Sequence, residues 1–305
     1  MTSNNYGNED FEAYTYLDYH NLAVSWNIAR GSFCSPSEFP YDEYYDSILS
    51  VAFTGMLANS TPERLYSELA IDKVRALLFP DCVSRLRGFF VFDEIDSISR
   101  FWHCNSWGGH FSDQYLSDVG VAATRSTRVD SNWISHIVDV NGRLKKGWYE
   151  NAINYWRGDI FPDGEPIWER IVEGYLTVWS HSVRTEAVLE IEAVWPNSLK
   201  LLQYSSFCAA YGSLDGMIFP LLNKKDNDQI EVIYMSRMVH ANDEDFIEKI
   251  IEHAKKKATL DINLNDTTTT DEDISTPDLT FLNVCLSSDD NCAFSDFVQL
   301  VSSSQ

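Results

Sequence analysis

The chain has 305 residues, of which 44% are hydrophobic and 13% aromatic, which is enough for a packed core and excludes wholesale disorder. Its formal charge of −23 argues against a surface that binds nucleic acid or anionic membranes non-specifically. No apolar run approaches the roughly 20 residues of a membrane span, and the polar, acidic N-terminus is unlike a signal or transit peptide. We therefore expect a soluble, cytoplasmic protein.

The six cysteines contain no C-x-x-C pair, and most of them stand in apolar surroundings. Without an export signal, buried free thiols are expected rather than a disulfide framework. His103, Cys104 and His110 lack the close paired spacing of a zinc site, so no metal site is predicted.

Hydrophobic periodicity predicts alternating strands and helices in the first third of the chain. The clearest helix covers 60–79, because Pro62 suits a first turn before Pro80 ends the pattern. Its apolar stripe at helical spacing consists of Leu65, Leu69, Val74 and Leu77. The other elements predicted here are a strand at 11–21, a helix at 40–57, a strand at 87–92 and a short helix at 93–102.

Further along the chain the same reasoning predicts strands at 116–125, 133–140, 167–178, 186–194 and 229–235. Helices are predicted at 148–156, 197–211 and 242–257. The last helix begins with acidic residues and ends with Lys255, Lys256 and Lys257, which is the polarity favoured by the helix dipole.

The predicted organisation has four parts: a disordered stretch at 1–10, a main domain at 11–180, an α/β extension at 181–258, and an acidic tail at 259–305. The tail contains nine acidic residues and no lysine or arginine, so it is expected to be flexible. Its two apolar clusters, 279–286 and 293–301, either dock on the domain or fold on a partner such as an antitoxin or chaperone.

One stretch departs from the acidic character of the chain. From Ser84 to Arg157 there are nine basic and eight acidic residues. Arginine supplies planar, permanently charged donors to phosphates, so a phosphate-bearing ligand is most plausible there. The alternative is that these arginines only solvate a loop face.

Two blocks carry a resemblance to a known family. The first is ELAIDKVRALLFPDCVSRLRGFFVFDEIDSISRFW at 68–102, and the second is ENAINYWRGDIFPDGEPIWERIVEGYLTV at 150–178. In this order and spacing they resemble a family of short uncharacterised bacterial proteins with an ADP-ribosyltransferase-like fold. The resemblance covers about 11–180 and implies an α+β fold with a split β-sheet, flanking helices and a cleft that binds NAD as substrate.

The resemblance also implies site residues. Glu169, just before a strand, corresponds to the catalytic carboxylate, and Glu165 is the alternative. Such a carboxylate would stabilise an oxocarbenium-like sugar as nicotinamide leaves. The residues implied to bind NAD are His20, Tyr16, Ser84, Arg85 and Phe90. The first strand lacks the early arginine or histidine that the family pattern calls for, since it offers only His20 at its end.

Two functions from different classes are compatible with these observations. The first is an NAD-dependent ADP-ribosyltransferase that modifies an intracellular macromolecule, protein rather than nucleic acid, as the toxin of a toxin–antitoxin or phage-defence system. The second is a non-enzymatic interaction or inhibitor protein that uses its acidic surface on a degenerate fold. They differ in whether Arg85 and Glu169 converge on one cleft.

Overall fold

The computed structural model describes residues 5–41, 45–55, 62–104, 112–224, 230–257 and 275–286. The chain forms an α+β fold with two antiparallel sheets. The strands are β1 (Asn5–Tyr16), β2 (Ser32–Cys34), β3 (Phe89–Val91), β4 (Leu116–Asp130), β5 (Trp168–Val178), β6 (Ile218–Lys224), β7 (Ile230–Ser236) and β8 (Val284–Leu286). The helices are α1 (Leu22–Arg30), α2 (Pro62–Leu78), α3 (Ile95–Cys104), α4 (Ile134–Ile137), α5 (Trp148–Arg157), α6 (His181–Val194), α7 (Leu199–Tyr211) and α8 (Glu244–Lys257).

The larger sheet is built around the long antiparallel pair β4 and β5. β1 pairs with the free edge of β4, whereas β2 and β3 share the other edge of β5. Phe92, the residue after β3, also pairs with β1. Its backbone groups and those of Tyr14 exchange hydrogen bonds of 2.9 and 2.8 Å. The sheet therefore curls until its two sides meet.

Gly174 allows β5 to follow this curl. Its φ of +132° is in the range that favours glycine, and a Cβ at this position would lie 2.1 Å from the carbonyl oxygen of Ala122. The β4–β5 register shifts at the same level, between Ala123 and Arg125. A β-bulge of this kind increases the local twist of a sheet.

The main core extends from the first sheet into residues beyond 180. α1 packs against α6 and α7, and its polar residues bond to the segment 213–218. The Trp26 indole donates to the carbonyl of Gly216 at 2.7 Å, and the Asn27 amide donates to that of Ile218 at 2.7 Å. Residues 181–236 therefore complete the core that residues 13–178 begin.

A second core lies on the opposite face of β4 and β5. Helices α2, α4 and α5 pack there around Ile71, Trp156 and Ile171, all of which are fully buried. The Trp156 indole donates to the carbonyl of Ile71 at 3.0 Å, so it ties α5 to α2. This face, called the helix-covered face below, contains Glu169, the candidate site residue in β5.

The C-terminal part that the structure describes, residues 275–286, is docked and is not a free tail. β8 adds to the edge of β7, and Asn283 accepts a hydrogen bond from the backbone of Tyr234 at 3.3 Å. The Phe281 ring contacts Trp195 at a centroid distance of 5.8 Å. The first apolar cluster of the predicted tail therefore packs on the domain, whereas residues 258–274 and the second cluster, 293–301, lie outside the described residues.

Most predicted elements are confirmed, but the helix predicted at 40–57 is wrong. Residues 45–53 form two single turns whose backbone bonds elsewhere: Leu49 donates to Pro220 and Ser50 donates to Leu86, each at 2.9 Å. Apolar residues at helical spacing here fill the space between two sheets. The N-terminal prediction is also corrected, because β1 begins at Asn5 and includes most of the stretch expected to be disordered.

Two predicted strands are helices. The strand predicted at 186–194 lies within α6, where Val183, Ala187 and Ile191 bury one face at four-residue spacing against α1. The strand predicted at 133–140 contains the short helix α4, which follows a turn held by the carboxylate of Asp130. In both cases β-branched residues occupy helices because tertiary packing outweighs their local preference.

Candidate functional site

Four side chains from four elements meet on the helix-covered face. Glu68 comes from α2, Arg85 from the loop between α2 and β3, Tyr155 from α5, and Glu169 from the start of β5. We call this set the buried ionic cluster, because each of the four residues is at least nine-tenths buried. The sequence predicts that Arg85 and Glu169 converge on one cleft. The structure places them side by side, but at buried positions where they are 4% and 8% exposed.

Arg85 is the centre of the buried ionic cluster. Its Nε donates to Glu68 Oε2 at 2.8 Å, its Nη2 to Glu68 Oε1 at 3.4 Å, and its Nη1 to the Tyr155 hydroxyl at 2.6 Å. The same Nη1 lies 3.7 Å from Glu169 Oε2. Its guanidinium carbon also lies 4.8 Å from the centroid of the Phe90 ring.

The protein positions Arg85 through the turn that precedes β3. Ser84 accepts a hydrogen bond from the backbone of Leu86 at 3.2 Å and donates one to Asp72 at 2.7 Å. A Cβ on Gly88 would lie 2.6 Å from the Ile171 side chain, so a larger residue would push this turn away from β5. Ser84 therefore fastens the turn to α2, and its hydroxyl is engaged within the protein.

Burial gives Glu169 an unusual protonation behaviour. Desolvation is the largest influence and raises the pKa of Glu169 to about 7; Arg85 acts in the opposite direction, and the charge of Glu68 adds to the rise. Glu68, by contrast, has a lowered pKa, because Arg85 and Arg64 together outweigh its desolvation. Glu169 is thus a carboxyl group that can gain or lose a proton close to neutral pH, which suits general acid–base chemistry.

The other predicted site residues do not join the buried ionic cluster. Glu165 is an exposed acid whose carboxylate lies 3.8 Å from Arg100. His20 lies in the turn before α1, where its ring is within 2.7 Å of Glu190. Tyr16 packs in a separate aromatic group, with its ring centroid 6.2 Å from that of Phe92 and 5.8 Å from that of Phe101.

Glu68 and Tyr155 were missed by reasoning from the sequence. Glu68 is the first residue of the first block that carries the family resemblance, and Tyr155 belongs to the Tyr-Trp pair of the second block. A buried arginine needs a buried carboxylate partner, and Glu68 stands on the apolar side of α2, between Leu65 and Leu69. That placement was the available signal.

A second row of charges lies on the opposite face of the same two strands. Arg128 and Arg170 stand directly opposite each other, and each guanidinium carbon lies 4.4 Å from an aromatic centroid, Trp168 and Phe11 respectively. Arg170 pairs with Glu9 at 2.8 Å and Arg128 pairs with Glu94. Because acids accompany both arginines, this row is not a net cationic surface.

Within the described ranges, no group of three or more histidine, cysteine or acidic residues could hold a metal ion. The side chains of His103 and Cys104, and the whole of His110, are outside those ranges. No helix in the described part of the chain is both long and apolar enough to cross a bilayer.

No protein-family model matches the chain, and no curated protein matches it. Function is therefore inferred from the site.

Proposed function

We propose that the chain is an NAD-dependent ADP-ribosyltransferase with an ADP-ribosyltransferase-like fold, in which Glu169 is the catalytic carboxylate. One observation carries the proposal. Arg85 and Glu169 are 84 positions apart in the sequence, belong to separate resemblance blocks, and meet at 3.7 Å in one buried cluster. The α+β fold with its antiparallel sheet agrees with this assignment.

The proposed transfer of ADP-ribose requires a carboxylate beside the ribose that loses nicotinamide. The bond between the ribose C1′ and the nicotinamide nitrogen breaks, nicotinamide leaves with the bonding electrons, and positive charge develops on the sugar. The ionised Glu169 stabilises that charge, which is present only in the transition state. As the acceptor oxygen or nitrogen bonds to C1′, its proton passes to Glu169, whose raised pKa makes it a suitable base near neutral pH.

The fit to NAD differs between its two ends. Glu169 suits the nicotinamide ribose, and the half-buried Phe90 beside Arg85 offers a ring for stacking. Every nitrogen of Arg85 already has a partner within the protein. Arg85 is therefore assigned to holding Glu169 in place, and the pyrophosphate would need other donors.

The acceptor is proposed to be an intracellular macromolecule. With 46 acidic against 23 basic residues, the overall charge repels nucleic acid, so a protein acceptor fits better. The family resemblance places such enzymes among the toxins of toxin–antitoxin and phage-defence systems, and we propose that setting for this chain.

The test is transfer of label from NAD to cell lysate, compared among the wild type, Glu169→Gln and Glu165→Gln. Glutamine keeps the size of Glu169 and removes its charge, so transfer should fall about 10²–10³-fold while NAD binding persists. Glu165→Gln is the matched control, because Glu165 lies in the loop four residues before Glu169 but is exposed, and it should transfer like the wild type. Loss in the control with retention in Glu169→Gln would move the catalytic role to Glu165. Digestion of the labelled product with protease or nuclease then identifies the acceptor class.

One observation favours the second function, a non-enzymatic acidic interaction or inhibitor protein. The hydrogen bonds of Arg85 all end on groups of the same cluster, as expected of a structural network. A wild type that neither binds NAD nor transfers label would establish this function in place of the first.

A further inference from the structure

Glu68 contacts both positive groups that surround the cluster. Its Oε1 lies 2.7 Å from Arg64 Nη2, and its two oxygens accept from Arg85 at 2.8 and 3.4 Å. Its side chain is fully buried, so these contacts replace all of its hydration. A two-pronged contact between arginine and carboxylate fixes the plane of the guanidinium.

The orientation of the Arg85 guanidinium determines which of its nitrogens faces Glu169. With Nε and Nη2 directed at Glu68, Nη1 is the nitrogen that remains for Tyr155 and Glu169. The charged and titratable groups around Glu169 are thus Arg85 from the loop, Glu68 from α2 and Tyr155 from α5. Arg64 completes the cluster, because it pairs with Glu68. Two cations and two carboxylates balance only when Glu169 is ionised, whereas its burial favours the neutral form.

We propose that Glu68 is a positioning residue, which fixes the guanidinium of Arg85 beside Glu169 and thereby sets how closely Arg85 contacts the Glu169 carboxylate. Glu68 engages most of the positive charge of Arg85, so only a distant contact is left for Glu169. Burial raises the pKa of Glu169 to about 7, and with Arg85 held by Glu68 the attraction of Arg85 does not reverse that rise. The inference deepens the proposed transferase and rests on it for its catalytic meaning, but the titration itself does not depend on NAD.

The experiment follows the carboxyl carbon of Glu169 by ¹³C NMR in the full-length protein labelled at glutamate Cδ. The resonance is assigned by its loss in Glu169→Gln. In the wild type it should titrate near pH 7. In Glu68→Gln the negative charge beside Arg85 is gone, so the midpoint should fall by about one pH unit or more. The control is Glu63→Gln, on the same helix, whose carboxylate pairs with the exposed Arg143 and should leave the midpoint unchanged.

A second variant keeps the test decisive if Glu68→Gln does not fold. Arg64→Gln removes the cation on the far side of Glu68, and the midpoint of Glu169 should then rise. A midpoint that stays at the wild-type value in folded Glu68→Gln, or in Arg64→Gln, overturns the proposal. A shifted midpoint in a protein that transfers nothing from NAD would remove the transferase and leave the role of Glu68 standing. Transfer by the wild type, together with a midpoint that does not move in the variants, would support the transferase and overturn the role of Glu68.

Discussion

At the scale of single residues, Glu169 imposes a cost on the folded state that depends on pH. Its pKa is about 7 in the folded protein and close to the ordinary value of 4.5 in the unfolded chain. Between these two values the folded state holds more protons than the unfolded state, so the free energy of unfolding falls as pH rises. Above about pH 8 the penalty is complete, at about 3 kcal/mol for a shift from 4.5 to about 7.

Glu169→Gln should therefore stabilise the protein at alkaline pH. Glutamine has no charge to desolvate, so the variant escapes a penalty that the wild type bears at pH 8 and does not bear at pH 4.5. We expect the two proteins to unfold at similar urea concentrations at acidic pH, and the variant to be more stable by about 1–3 kcal/mol at pH 8. Urea unfolding followed by circular dichroism across this range measures the difference.

The control is Glu165→Gln, which removes an exposed acid four residues away and should change stability by about 0.5 kcal/mol or less at both pH values. A difference between wild type and Glu169→Gln that stays constant from pH 4.5 to 8 would mean that Glu169 titrates normally. The attraction of Arg85 would then offset the desolvation of Glu169 in full.

At the scale of elements, the docked C-terminal segment protects the edge of β7. The β8 backbone pairs with Ile230, Glu231 and Val232, so their strand has partners on both sides. A chain ending at residue 274 would lose these partners and expose an edge strand. We expect the amide hydrogens of 230–232 to exchange faster in that variant, while those of β4 and β5 keep their protection, as measured by hydrogen exchange.

A chain ending at residue 286 is the matched control, because it keeps β8 and removes only residues 287–305. Its exchange in β7 should equal that of the full chain. Equal exchange in the chain ending at 274 would show that β7 does not depend on β8 for its protection.

The elements that could be predicted from the sequence are those whose local pattern and tertiary environment agree. α2 has a proline in its first turn and an apolar stripe, and β5 is an apolar run after a turn, so both lie where expected. The sequence predicts a strand in place of α6, because Glu186–Val194 contains three β-branched residues in nine. The apolar stripe of the helix begins upstream of that window, at Val183. β6 was not predicted at all, since Pro220 in its middle argues against a strand.

The candidate site, like the fold, could be predicted only in part from the sequence. The proximity of Arg85 and Glu169 followed from two blocks of sequence, and the structure brings them together. Glu68 is one of 46 acidic residues, and the feature of the sequence that distinguishes it is its place on the apolar side of α2, between Leu65 and Leu69. The first strand lacks the early arginine or histidine of the family pattern, so the resemblance points to His20 and Tyr16. Neither of them contacts the buried ionic cluster.

At the scale of the whole molecule, buried hydrogen bonds and a shared apolar core connect the two sides of the boundary predicted near residue 180. Arg30 is almost fully buried, and its guanidinium donates to the carbonyls of Ser32, Ser213 and Asp215. Desolvation lowers the pKa of Arg30 to about 10. Two of these three acceptors lie beyond residue 180.

A fragment of residues 1–180 should therefore fail to fold by itself. It would lose the acceptors of Trp26 and Asn27 as well, and each buried donor left without a partner costs about 1–3 kcal/mol. Val183, Ile191 and further residues that close the apolar core would also be missing. Together these losses approach the whole stability of a domain, which is about 5–15 kcal/mol.

We expect the fragment to lack a near-ultraviolet circular dichroism signal and a cooperative thermal transition, whereas residues 1–286 should show one cooperative transition. A fragment of 1–180 that melts cooperatively would establish a boundary near 180, and residues 181–286 would then be an accessory to an independent domain.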